Sequence, residues 1–185
     1  MKKTQLASAA ASALACIPSK AGTVTTPHGS VKVTMAGRIK CEAVRPDGTR
    51  RVLADWFDNL ILDQGLNRIG TGSFLDACQV GTGSTAPANS DTALVARVAG
   101  TTTIQASATG TASSSPYYGY TQRTYRFAQG AAAGNLTEVG IGWSTTGATL
   151  FSRALIKDGG GSPTTITVLS DEFLDVSYEL RSYAP

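Results

Sequence analysis

The sequence predicts an all-β protein: an antiparallel β-sandwich of jelly-roll type with one short helix and an extended or helical N-terminal arm. Three observations carry this reading. Apolar and polar residues alternate along much of the chain, turn signals recur at short intervals, and a single stretch, "WFDNLILDQGLNRIG" at 56–70, has a helical period instead. At 185 residues the chain can bury one sizeable core. It divides into a docking arm and linker, 1–29, and a sandwich body, 30–185.

The arm opens with "MKKTQLASAAASALAC", whose two lysines, small-residue run and Ala-Leu-Ala before Cys16 imitate a lipoprotein signal. Leu14 sits two residues before Cys16, where such a signal has its large aliphatic residue three before, and the run is only weakly apolar. A helix from Thr4 to Cys16, held against a neighbour, is the preferred expectation. Residues 17–29 lack periodicity and read as a linker.

From Ser30 the alternation begins, with Val31, Val33 and Met35 on one face, then Ile39, Cys41 and Ala43. Gly37 interrupts it and predicts a bulge. "RPDGTR" supplies a turn and "RRVLADWF" the returning strand, which makes a hairpin. In the stretch that follows, Asp58 or Asn59 is placed to cap a helix. Leu62, Leu66 and Ile69 share one face, and Gly70 is placed to end it. Gly65 in the middle costs about 1 kcal/mol relative to alanine, so packing must hold the helix. Its apolar face would close one end of a β-layer.

"SFLDACQVGTG" reads as a strand ending at Gly81-Thr82-Gly83, followed by a polar loop and a short helical turn over 91–99. Residues 100–116 are rich in Thr and Ser and read as an edge strand with an exposed loop. "YYGYTQRTYRFAQG" is a strand with aromatics on both faces, and "NLTEVGIGWS", "ATLFSRALI", "TTITVLS" and "EFLDVSYELRSY" complete the series.

Chemistry is sparse. Gly81 to Ala86 fits the loose dinucleotide pattern G-x-G-x-x-A, but a proline-bearing loop follows where a helix is required, so the glycines read as a turn needing positive φ. His28, the single histidine, lies in the linker, which leaves too few ligands for a histidine metal site and no ready triad. Carboxylates cluster at Asp55, Asp58 and Asp63 and at Asp171, Glu172 and Asp175, and read as caps, first-turn acids and turn residues ahead of paired catalytic acids. Glu138, in a strand, is either paired with an arginine inside or solvated. Tyr117, Tyr118 and Tyr120 are a candidate interface, with stacking on sugars or bases as the alternative.

A net charge of +3 with scattered basic residues gives no nucleic-acid footprint. No stretch reads as a membrane span. Three cysteines without metal spacing suit a reducing compartment. Only 16% of residues are charged, and such a surface suits burial by neighbours.

Three stretches, "NLILDQGLNRIG", "VGTGSTAPANSDTALVARV" and "NLTEVGIGWSTTGATLFSRALIKD", together resemble small bacteriophage virion proteins of the tail or tail-fibre type. The likeness rests on Asn59, Ile61, Asp63, Gly65 and Leu66; on Gly81, Thr82, Gly83, Pro87, Asp91, Thr92 and Leu94; and on Asn135, Thr137, Glu138, Gly140, Phe151, Ser152 and Arg153. It covers about half the chain and excludes the arm. It implies a non-catalytic β-sandwich block without cofactor, located in the virion tail as a trimer or higher ring among other tail proteins, with a host surface glycan as a further candidate partner. A capsid decoration protein and a binding module anchored through Cys16 are the alternatives.

Overall fold

The alternating segments become strands in a computed structural model that describes residues 20–26 and 29–183, with side chains from residue 32 onward. In chain order they are β1 (Lys20–Thr26), β2 (Gly29–Val44), β3 (Arg50–Asp58), β4 (Leu60–Ile61), the helix α1 (Asp63–Ile69), β5 (Ala77–Gly81), β6 (Arg97–Thr101) and β7 (Ile104–Thr111). There follow β8 (Tyr118–Phe127), β9 (Gly134–Leu136), β10 (Glu138–Gly142), β11 (Leu150–Leu155), β12 (Ile166–Val168) and β13 (Phe173–Tyr183). One sheet runs β1-β2-β13-β8-β7, with β3 beside β2; a second runs β4-β11-β10-β5-β6; β12 and β9 form a small ribbon. Every strand pair is antiparallel. The all-β, sandwich-like class expected from the alternation is what forms. The arm, Cys16 and His28 lie outside the described residues.

Both large sheets contribute to one core, in which Ile39, Tyr125, Val176 and Tyr178 of the first meet Val80, Val139, Ile141 and Phe151 of the second. The alternation of β13 explains how. Leu174, Val176, Tyr178 and Leu180 enter the core, and Asp175, Ser177 and Glu179 point to the other face. Those three are nevertheless buried: arginines on the flanking strands lie over Asp175 and Glu179, and Ser177 shares a hydrogen bond of 2.9 Å with the Thr124 hydroxyl. Asp175 faces Arg126 and Glu179 faces Arg38 in register. Arg126 donates to both oxygens of Asp175 at 2.7 Å, and Arg38 to both of Glu179 at 3.1 and 3.0 Å. Cross-strand pairing of opposite charge here substitutes for solvent.

This arrangement fixes the response to acid. Burial alone would raise Glu179, and hydrogen bonds from Arg38 and Arg181 outweigh it and hold the carboxyl below its ordinary range. Glu172 is lowered by the Leu169 N–H and then by Arg51. A carboxyl whose folded pKa lies below its unfolded value contributes stability above the unfolded value and loses it as pH falls through the folded one. The melting temperature is therefore expected to hold from pH 7 to about 5 and to fall below about pH 4.5. A melting temperature unchanged down to pH 3 in a calorimetric series would contradict this.

The β2–β3 hairpin forms around Asp47 and Gly48 as expected, with Gly48 at φ 87° and the Thr49 N–H donating to Asp47 Oδ1 at 2.8 Å. Its bulges fall at Ile39/Cys41 and Cys41/Glu42, not at Gly37. The register with β13 runs unbroken through Gly37. Glycine stands there because a Cβ would overlap Asn59 Oδ1 and Tyr178 Oη.

Three further expectations are corrected. Part of the supposed linker is β1, paired along its whole length with β2. Residues 91–99 form no helical turn, and their end enters β6. The helix begins later than the caps suggested. The Asn59 N–H donates to Gly37 O at 3.2 Å, and Leu60 and Ile61 pair with β11, so the chain stays extended to Leu62. Leu62 occupies the N-cap without a side-chain cap bond, and Gly70 ends the helix in right-handed conformation at φ −84°. Of the expected apolar face, Leu62 is buried, Leu66 half-buried and Ile69 exposed.

Candidate functional site

Alternation along the second sheet places Val139 and Ile141 in the core and turns Glu138 and Gly140 to the opposite face. Arg153 lies across from Gly140 on β11, and Gly81 across from Glu138 on β5, so all share that face. Solvent does not reach it. The loop between β5 and β6, residues 82–96, folds over it, and α1 seats beside it on β11. Leu94 from the loop, Leu62 from the helix approach and Leu150 from the sheet form a second small core, joined by Leu60.

Glu138 and Arg153 are buried under this loop. Arg153 donates to Glu138 Oε2 from Nε at 3.0 Å and from Nη2 at 2.9 Å. The loop completes the carboxylate: the N–H groups of Gly83 and Ala96 donate to Oε1 at 3.0 and 2.8 Å, and that of Val95 to Oε2 at 3.1 Å. Arg153 is equally committed, with Nη1 donating to Asp91 Oδ2 at 2.7 Å and Nη2 to Thr85 O at 2.8 Å. Asp91 also accepts from the Ala88 N–H at 2.9 Å, and the Thr137 hydroxyl donates to Gly83 O at 2.9 Å. Glu138 is thus paired with an arginine inside, the first of the two open alternatives.

Glycines 81 and 83 serve this centre by their lack of a side chain, not by positive φ. A Cβ on Gly83 would lie 2.5 Å from Glu138 Oε1 and 2.6 Å from Val95 Cβ. One on Gly81 would overlap Ala96 O and lie 2.7 Å from Glu138 Oε1. Gly140 admits Leu150 and Leu94 in the same way. The helix holds the far side of the loop: the Asp63 N–H donates to Asn89 O at 2.9 Å, and Gln64 Nε2 to Thr92 O at 2.8 Å and Leu150 O at 2.9 Å.

The geometry ties the loop to the sheet. The Glu138 carboxylate receives five donor contacts. Arg153 has its forks turned to carboxylates and a carbonyl. Four of the five Arg153 N–H groups are used in this way, and its side chain also borders the adjoining pocket. A shallow pocket of about 300 Å³ opens beside the network, lined by Asp58, Leu60, Ala86, Pro87, Lys157 and Pro163 among others, and its lining is largely apolar.

Of the residues singled out in the sequence, Gly81, Gly83, Asp91, Glu138 and Arg153 meet here, Asp63 joins through its backbone, and Gly65 and Leu66 sit on the adjoining helix. Asn59 does not. It is buried near Ser152 and Tyr178, where its amide, the Ser152 hydroxyl and the Tyr178 hydroxyl find no hydrogen bond of good geometry. Burial pushes the Tyr178 hydroxyl up, and the nearby Ser152 and Asn59 only partly oppose it. Sequence reasoning missed Thr85, Gln64 and the loop amides of Val95 and Ala96. Backbone donors have no residue signature, and only the polarity of Gln64 within the helix could have drawn notice.

The tyrosines lie apart, at the far end of the first sheet. Tyr117 is 66% exposed, whereas Tyr118 and Tyr120 are half-buried. The Tyr118 ring has Tyr183 at 5.3 Å and the Arg181 guanidinium 4.4 Å from its centroid. Arg181 and Arg38 both reach Glu179, and Arg38 stacks 4.3 Å from Trp56. Of the three candidate rings, Tyr118 thus lies under an arginine, whereas Tyr117 is open to solvent.

Cys41 and Cys78 are free thiols in the core, and burial pushes Cys41 up to about 12. Among the described residues no group of His, Cys, Asp and Glu side chains is placed to hold a metal, and no helix is long and apolar enough to cross a membrane. No protein-family model, curated protein or solved structure matches the chain.

Proposed function

We propose that the chain is a structural subunit of a bacteriophage virion, a component of the tail that works by oligomeric assembly with copies of itself and other tail proteins, and not by catalysis. The supporting observation is that residues carrying the resemblance to tail proteins, Gly83, Asp91, Glu138 and Arg153, belong to one buried network. The resembling stretches are thus joined as a single architectural unit. A surface with few charges and an open sheet edge agree with a subunit covered by neighbours. The test is native mass spectrometry of the protein expressed with its natural N-terminus. A trimer or larger ring of uncleaved subunits is expected. A monomer shortened to Cys16 and carrying lipid mass would overturn the reading in favour of an anchored binding module.

A further inference from the structure

The edges of the sheets differ in how they are defended. In the second sheet β4 is two residues long and β6 carries Arg97. In the first, β3 carries Arg50, Arg51, Asp55 and Asp58, and the end strand β1 begins with Lys20. Strand β7, eight residues at the end of the first sheet, has none of these protections. It bears no charge and no proline, and its one irregularity lies at its start, between Ile104 and Ala106. From Ala106 to Thr111 it pairs regularly with β8, and all its residues but Gly110 are exposed. An edge of this kind offers unpaired backbone groups to another strand.

The surroundings select a second copy as that strand. In an antiparallel two-fold contact only the residue on the axis meets its own copy and those on either side meet one another, so charges of one sign clustered there would face their like. Between Arg97 and Arg123 the sequence has no charged residue. Ala106, Ser107, Ala108 and Thr109 at the strand centre are small enough to lie opposite one another without a clash. A foreign partner would be recognised through charge or side-chain pockets; β7 carries no charge, and the hollow it borders with Tyr120 and Leu180 lies at its Thr109–Thr111 end, beyond Ala106 to Ala108.

We infer that β7 pairs antiparallel with β7 of a second copy across a two-fold axis, joining two six-stranded sheets into one. The inference rests on the reading of the chain as an assembling subunit and adds that its copies associate in pairs. Native mass spectrometry and sedimentation of the full chain, beside the double variant Ala106→Lys/Ala108→Lys, test it. An even-numbered ring larger than a trimer, built of paired subunits, is expected for the unaltered chain, with association weakened at least about tenfold in the variant. Cysteine scanning at positions 106 to 109 with Cys16→Ser gives an independent reading if the lysine variant fails to fold. Rapid disulfide formation is expected at central positions near the axis, because cross-strand Cα distances of about 4.5–5.5 Å suit the bond. An odd-numbered ring, or an assembly indifferent to both lysines and without cross-links, overturns β7 pairing and leaves the assembly reading standing. A monomer at every concentration overturns both.

Discussion

Arg153→Met is expected to lower the stability of the fold by about 3–5 kcal/mol, because it strips the counter-charge from a buried carboxylate and leaves Glu138 uncompensated. For a chain of this size that corresponds to a fall in melting temperature of roughly 6–20 °C. The informative companion is the double variant Glu138→Leu/Arg153→Met. An isolated buried ion pair is often replaced by apolar residues at little cost. Here the three N–H groups of Gly83, Val95 and Ala96 also end on Glu138, and the double variant leaves all three without that acceptor, Gly83 in a buried position. It is therefore expected to remain destabilised. Urea unfolding of the single and double variants decides the matter, and recovery of the double variant to within about 1 kcal/mol of the original would sink this account of the loop.

The second large effect runs against helix propensity. Gly65→Ala should gain about 1 kcal/mol in an isolated helix. In this fold α1 lies so close on β11 that the added Cβ would overlap Phe151 O and sit 2.7 Å from Phe151 Cα. Those atoms are backbone of β11, whose Phe151 carbonyl also accepts from the Leu62 N–H at 2.9 Å, and cannot turn aside as a side chain would. The expected result is a net loss of about 1–3 kcal/mol, with the overpacking term outweighing propensity. Thermal unfolding followed by circular dichroism checks the sign, and a stabilised Gly65→Ala protein would show that the helix can lift from the sheet without cost.

The same glycine shows what sequence could and could not convey. Its cost to the helix was legible, and so was the conclusion that packing must hold it, because propensity is local. The partner atom was not, since Phe151 lies 86 positions away in the chain. Strands β2, β8, β10, β11 and β13 were all read as strands, even though β10 and β11 are buried on both faces. The Asp47-Gly48 hairpin followed from turn chemistry alone. Glycines 37, 81 and 83 were assigned to turns or bulges because composition reports only that a side chain is missing. Whether backbone freedom or close approach requires the glycine is a tertiary fact. Glu138 could be recognised as a charge within a buried strand, but choosing Arg153 among sixteen basic residues needed the register of β10 on β11.

Strand β13 follows every other strand in sequence, yet it lies between β2 and β8 at the middle of the first sheet. As the chain leaves the ribosome, the second sheet can close on itself while β2 and β8 each still lack a neighbour. The half-made protein thus carries open edges that the finished one does not, and synthesis of β13 is the event that removes them.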